Sequence, residues 1–129
     1  MSPVLARLMQ SSVVHVGFAF LAMGSWAAFA NRNHPMPAPL QAGLLQGALS
    51  AAITLVLKRG IEALARRFSG VPALVLPPML AALASATLLG TLHWLGGTPE
   101  MARTIAVPLT VATSYAALYN FSLWRERRH

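Results

Sequence analysis

The chain has 129 residues, of which 56% are hydrophobic and only 10% are charged. Soluble domains carry about 25% charged residues. Together with a mean hydropathy of +0.57, these values exclude an ordinary soluble domain and predict an all-α integral membrane protein. Because cysteine is absent, disulfides, thiolate catalysis and cysteine-ligated metal centres are excluded as well.

Four apolar runs follow one another along the chain, and each is long enough to cross about 30 Å of hydrocarbon as a helix. They cover residues 13–30, 40–57, 71–95 and 105–123. This spacing predicts a single domain, residues 1–129, made of four transmembrane helices in two hairpins.

Polar and turn-forming residues separate the four runs. Residues 31–35 form a polar turn after the first run, and Ser69-Gly70 comes before the third. After the third run, Thr98 is expected to cap a helix that starts at Pro99, and Glu100 favours its first turn.

The net charge of +7 is mainly an orientation signal. In a soluble protein it would suggest nucleic acid, but most basic residues here lie at the ends of apolar runs, so no nucleic-acid partner is expected. Eight lysines and arginines lie in the N-terminal segment, the middle loop and the C-terminal tail, and two lie in the opposite loops. The positive-inside rule therefore predicts a multi-pass protein of the bacterial inner membrane with both termini in the cytoplasm.

One alternative concerns the first apolar run. Ala28-Phe29-Ala30 resembles a signal-peptide cleavage site, but the run is longer than the core of a signal peptide. We expect a retained span; a mature chain beginning at Asn31 in an intact-mass measurement would contradict the four-span interpretation.

Small residues recur at helical spacing on three of the four predicted helices. Such faces let two backbones approach closely, which drives helix association in lipid. The predicted helix-packing residues are Gly17, Gly24, Gly43, Gly47, Ala82, Ala86 and Gly90.

A polar stripe runs beside the glycines of the second helix. Gln46, Ser50 and Thr54 are spaced four residues apart, and Asn120 lies on a polar face of the fourth helix. An amide deep in the membrane is costly when it faces lipid, so Gln46 should face protein or water. Two interpretations stay open: a clasp that bonds a neighbouring helix, or the lining of a substrate path.

Basic residues collect at the predicted inner ends of the helices, where they are expected to hold a phosphate or lipid headgroup. They are Lys58, Arg59, Arg66, Arg67, Arg125, Arg127 and Arg128. Lys58 and Glu62 are expected to form a solvated i,i+4 pair. At the same end, Pro77-Pro78 either begins the third helix or kinks it, with the freed carbonyls bonded by neighbours.

Few residues suit catalysis. The acids are Glu62, Glu100 and Glu126, and no phosphate-binding loop or hydrolase motif occurs. His34, His93 and Glu100 could meet at the outer surface, but they lack the spacing of a metal motif. We therefore expect neither enzyme activity nor a bound metal or other cofactor.

The absence of an acidic residue within the predicted spans also distinguishes the chain from small multidrug-resistance exporters. In span number, in basic inner ends and in Asn120-Phe121 followed by Arg125, it is similar to the GtrA-like family. That resemblance implies movement of polyprenyl-phosphate sugars.

These patterns predict a homo-oligomeric protein that transports or handles a lipid-linked or small amphipathic substrate and binds membrane lipids. The alternative is a non-catalytic accessory or structural subunit that packs against another membrane protein.

Overall fold

A computed structural model describes residues 2–4, 7 and 11–127. Four long helices account for most of the described chain: α1 (Ser12–Ala30), α2 (Ala38–Ala65), α3 (Gly70–Leu95) and α4 (Met101–Arg127). No strand occurs among the described residues. The all-helical class and the four elements are therefore as predicted.

The helix ends follow local chemistry. The Ser11 hydroxyl accepts a hydrogen bond from the Val14 amide at the start of α1. Gly70, the first residue of α3, and Gly97, in the turn after α3, adopt φ of +67° and +71°, a left-handed conformation that glycine adopts without steric cost. The predicted Thr98 cap is wrong, because α4 begins at Met101 instead of Pro99 and the Thr98 hydroxyl bonds to His93.

Two helix pairs make the most extensive contacts, α1 with α2 and α3 with α4, and α2 also contacts both helices of the second pair. The apolar core lies where α2, α3 and α4 meet. It consists of Leu49, Ile53, Leu89 and Ala112. Because α2 takes part in both halves, its side chains are placed to join them.

Three helices, α1, α2 and α3, are long and apolar enough to cross a membrane. α4 is of comparable length, but it does not meet the same hydropathy criterion. Large apolar side chains cover the outer surface of all four helices; Phe18, Leu55, Leu83 and Leu118 are between 58% and 73% exposed. Such a surface is costly in water and suits contact with lipid.

Candidate functional site

A chain of four buried polar side chains connects α2 to α3 and to the turn after it. Gln46 Nε2 donates to Ser50 Oγ at 2.7 Å, and Gln46 Oε1 lies 2.7 Å from His93 Nε2. On the other side of the ring, His93 Nδ1 lies 2.7 Å from the Thr98 hydroxyl. Gln46 and His93 are fully buried, and Ser50 and Thr98 nearly so.

These hydrogen bonds determine which side-chain atoms of Gln46, His93 and Thr98 carry the protons. Because the amide nitrogen of Gln46 is directed at Ser50, its oxygen accepts the N–H of His93 Nε2. A neutral imidazole then uses Nδ1 to accept the Thr98 hydroxyl proton. The side-chain amide and the imidazole are thus both bonded inside the protein, as the clasp interpretation of Gln46 expects.

The predicted polar stripe divides in the structure. Gln46 and Ser50 belong to the buried chain, whereas Thr54 is exposed one turn further along α2. Asn120 is also fully buried, but its amide bonds Ala73 and Leu74 of α3. The four residues therefore do not line one continuous path.

Asn31 connects the C-terminal end of α1 to the start of α4. Its amide nitrogen donates to Ala27 O at 2.8 Å and to the Thr104 hydroxyl at 2.7 Å. Its side-chain oxygen accepts from the Glu100 backbone amide at 2.9 Å, which is one of the unpaired donors that precede a helix. Trp26 adds a bond from its indole nitrogen to Arg103 O at 3.1 Å.

An exposed pair joins the α1–α2 turn to the same helix start. His34 Nε2 lies 2.8 Å from Glu100 Oε2. The hydrogen bond from His34 lowers the pKa of Glu100 below its usual value. His93 is not part of this pair, since its ring nitrogens bond Gln46 and Thr98. Within the described ranges no three histidine or acidic side chains are grouped to hold a metal.

Asn120 bonds the carbonyls that Pro77-Pro78 leave without donors. Both prolines lie inside α3, so the helix continues through them. Proline has no N–H, so these two residues leave the carbonyls four positions earlier, Ala73 O and Leu74 O, without their usual donors. Asn120 Nδ2 donates to both of these carbonyls, at 2.9 Å each.

This replacement of two backbone donors by one side chain carries a cost of its own. The oxygen Oδ1 of Asn120 is buried and has no hydrogen-bond partner among the described residues. A buried acceptor without a partner loses its bonds to water and gains nothing in return. The contact therefore combines two satisfied carbonyls with one unsatisfied amide oxygen.

Three further side chains of α4 bond α2 and α3 where α2 ends and α3 begins. The Tyr119 hydroxyl donates to Glu62, whose carboxylate also lies 3.9 Å from Lys58 Nζ. Trp124 Nε1 donates to Gly70 O at 3.0 Å. The Arg127 guanidinium donates to Ala65 O, one of the unpaired carbonyls at the end of α2. Lys58 and Glu62 form the predicted i,i+4 pair, with Tyr119 as an additional partner.

The basic residues of this end fall into two groups. Arg127 and Lys58 have partners within the protein. Arg59, Arg66, Arg67 and Arg125 are exposed, and their guanidinium groups form no hydrogen bond or ion pair within the described part of the chain. Arg128 lies outside the described residues. The exposed guanidiniums are therefore the groups available to a phosphate at this surface.

The glycines of α1 and α2 pack against each other. A Cβ atom on Gly24 would lie 2.9 Å from Gly43 O, and one on Gly43 would lie 3.0 Å from Gly24 O. One on Gly47 would lie 3.0 Å from Phe20 O. The close approach predicted from these small residues thus occurs within one chain.

The remaining small residues have no such neighbour. A Cβ atom on Gly17 or Gly90 would meet nothing within 4 Å. Ala82 and Ala86, on the same helix as Gly90, are partly exposed. Within the described residues, no neighbouring helix lies close enough to Gly17 or Gly90 to require a glycine there.

Sequence reasoning missed several of these bonding partners. The sequence predicts His93 at the outer surface and Asn31 in a turn, and it predicts a bonding partner for neither. The available signal was the pair of freed carbonyls, since Pro77-Pro78 requires two donors from another helix. Nothing in the sequence indicates which helix supplies them, because the contacting residues are separated by 46 and 47 positions.

Comparisons with protein-family models, with curated proteins and with solved structures each found no significant match to this chain. The similarity to GtrA-like proteins therefore rests on span number, basic inner ends and Asn120-Phe121 with Arg125.

Proposed function

We propose that all four helices cross the bacterial inner membrane and that both ends of the chain lie in the cytoplasm. The extent of α4 supports this topology. Its start bonds Asn31 at the end of α1, and its last turns bond Ala65 at the end of α2 and Gly70 at the start of α3. α4 therefore extends between the same two ends as its apolar neighbours.

The low hydropathy of α4 is compatible with a span, because many of its polar groups are bonded. Thr104 and Asn120 are fully buried, and the Thr110 hydroxyl donates to Ala106 O. Its outer face carries Val111 and Leu118, which are 53% and 72% exposed. A helix with satisfied polar groups inside and apolar groups outside meets the requirements of the bilayer.

Cysteine labelling tests this topology, since the chain has no cysteine of its own. We expect an impermeant maleimide to label Asn33→Cys on intact cells and to label Ser69→Cys and Glu126→Cys only after lysis. Labelling of Glu126→Cys on intact cells, with Ser69→Cys still protected, would show that α4 does not cross.

The function we propose is the handling of a lipid-linked or small amphipathic anionic substrate at the inner surface, without catalysis. The observation that carries it is a set of exposed guanidiniums that have no partner among the described residues: Arg59, Arg66, Arg67 and Arg125. Two acids lie at the same end: Glu62, whose carboxylate already contacts Tyr119 and Lys58, and the exposed Glu126. The four arginines outnumber them, so this surface keeps an excess of positive charge. Guanidinium groups bind phosphate oxygens in a bidentate geometry, so a lipid phosphate is the ligand that this surface suits.

A flipping assay in proteoliposomes tests this function, with a fluorescent short-chain polyprenyl phosphate as the probe. We expect the wild-type protein to move the probe and the combined variant Arg66→Gln/Arg67→Gln/Arg125→Gln to slow it at least tenfold. The matched control is Arg32→Gln/Arg103→Gln at the opposite end, which should keep the wild-type rate. Equal rates for both variants, or no movement by the wild type, would refute the proposal.

A second candidate is an accessory subunit bound to another membrane protein. It is favoured by the open face of α3, where Gly90 has no neighbour within 4 Å and a surface depression is lined by Leu83, Thr87 and Thr91. Small residues on an open face permit a second helix to approach. This candidate predicts that Gly90→Leu removes a stoichiometric foreign partner from the native assembly, whereas a homomer in detergent-free mass measurements would contradict it.

A further inference from the structure

The inner segment of α3, residues 70–76, has the features of a movable unit. It lies between Gly70, at φ +67°, and the proline pair that interrupts the backbone hydrogen bonds of the helix. Val71, Pro72 and Val75 are exposed, and Ala73 is the one buried residue of the segment. Few buried contacts are typical of regions that open locally.

The segment is held to α4 by two side chains. Asn120 bonds Ala73 O and Leu74 O, and Trp124 bonds Gly70 O. In an uninterrupted helix, the carbonyls of residues 73 and 74 would bond to the N–H groups of residues 77 and 78. In this protein α4 donates the two hydrogen bonds that an uninterrupted α3 would form within itself.

The unpaired oxygen of Asn120 favours a second state of the protein. In the closed state residues 70–76 lie against α4, and in the second, open state they lie away from it. Oδ1 is buried without a partner among the described residues, so the closed state keeps one acceptor from water. Leu74 lies about 6 Å along the helix from Gly70, at the end of α3 that adjoins the basic surface. If the segment moved away from α4, water at that surface could solvate Oδ1 and both carbonyls.

We propose that Pro77-Pro78 is a hinge in α3 and that Asn120 is the latch that holds residues 70–76 against α4. Opening exchanges the two Asn120 bonds and the Trp124 bond to Gly70 O for bonds to water, and it leaves the part of α3 after the prolines in place. The hinge is a property of this helix pair, and it does not rest on the proposed handling of a lipid.

Distances between spin labels test the hinge in the full chain reconstituted in nanodiscs. The cysteine-free sequence allows labels at Val71→Cys and Val111→Cys, on exposed positions of the segment and of α4. The control pair, Leu95→Cys with Val111→Cys, reports on the opposite half of α3. Asn120→Leu keeps the size of the side chain and removes its donors.

We expect Asn120→Leu to add a second, longer population for the 71–111 pair and to leave the 95–111 distribution unchanged. Asn120→Ser has one hydroxyl proton for two carbonyls and should give a smaller second population. An unchanged 71–111 distribution in both variants, or equal changes in both label pairs, would overturn the proposal.

Restoring the prolines' missing donors provides an independent test. Pro77→Ala/Pro78→Ala returns an N–H to each of the two carbonyls, so adding both to Asn120→Leu should bring back the single short population. Where Asn120→Leu alone fails to fold, this triple variant should fold. A triple variant that does not recover would show that Asn120 acts elsewhere and would refute the latch.

Discussion

The imidazole of His93 and the side-chain amide of Gln46 meet inside the bundle, with Nε2 of the ring 2.7 Å from Oε1 of the amide. Both side chains have no exposed surface. Their contact joins α2 to α3 at a depth where neither group has water as an alternative partner.

This contact predicts non-additive effects on stability. Gln46→Leu should lower the free energy of unfolding by about 1–3 kcal/mol, because it leaves the buried N–H of His93 without an acceptor. His93→Phe should lower the free energy of unfolding by a similar amount. The double variant should lose less than the sum of the two single losses, with a coupling of about 1 kcal/mol. Unfolding in mixed micelles measures all three, with exposed Thr54→Val as the control; additive effects would contradict the contact.

The crossing of α1 and α2 predicts opposite outcomes for similar substitutions. Gly24→Ala or Gly43→Ala places a methyl group about 3 Å from a backbone carbonyl oxygen, and separating the backbones should cost about 1–3 kcal/mol. Gly17→Ala and Gly90→Ala meet nothing within 4 Å, and they should be neutral or stabilising by up to about 1 kcal/mol. Thermal unfolding in one detergent compares them; a neutral Gly24→Ala would show that the crossing is looser than described.

Two asparagines in the α1–α2 turn should differ in importance. Asn31→Ala removes the bonds to Thr104, Ala27 and the Glu100 amide, and we expect a loss of about 2 kcal/mol. Asn33→Ala changes an exposed side chain and should be near neutral. Hydrogen exchange of the first turn of α4 should rise in the first variant alone; faster exchange in both variants would argue against a specific cap.

The pair of His34 and Glu100 predicts a dependence of stability on acid. The bond from His34 lowers the pKa of Glu100 in the folded protein, so its contribution is fully present above the unfolded value of about 4.3. It is lost as the pH falls through the lower folded pKa. Melting curves from pH 6 to 2 should therefore show the advantage of wild type over Glu100→Gln disappearing in acid. His34→Gln should weaken that dependence without abolishing it, because Arg103 also lowers the pKa of Glu100.

Substitution of two arginines near the end of α4 should have different effects, one on stability and the other on lipid binding. Arg127→Ala loses the bond to Ala65 O and should lower stability by about 1 kcal/mol. Arg125→Ala has no such bond to lose and should keep stability while reducing retention on vesicles that contain phosphatidylglycerol. Thermal unfolding and vesicle flotation together measure the difference, and a destabilised Arg125→Ala would contradict this division.

The sequence was sufficient for the features that depend on neighbours along the chain. Apolar runs and the polar turns between them determine the four helices, because a helix satisfies its backbone bonds locally and needs about 20 apolar residues to cross a bilayer. The same local logic showed that Gln46 needs a partner away from lipid and that Pro77-Pro78 frees carbonyls for a neighbour. It failed at Thr98, whose hydroxyl bonds the buried ring of His93 five residues earlier instead of capping α4.

Only the tertiary structure decided which surfaces meet. The G-x-x-x-G pattern of α2 is equally suited to a second copy and to a helix of the same chain; Gly43 lies against Gly24 because the short turn after α1 brings these helices together. His93 reaches Gln46 across 47 positions, and Asn120 reaches Ala73 across another 47. Hydropathy does not distinguish one apolar helix face from another. Which faces pack together therefore depends on their shape and on the few buried polar groups that need hydrogen-bond partners.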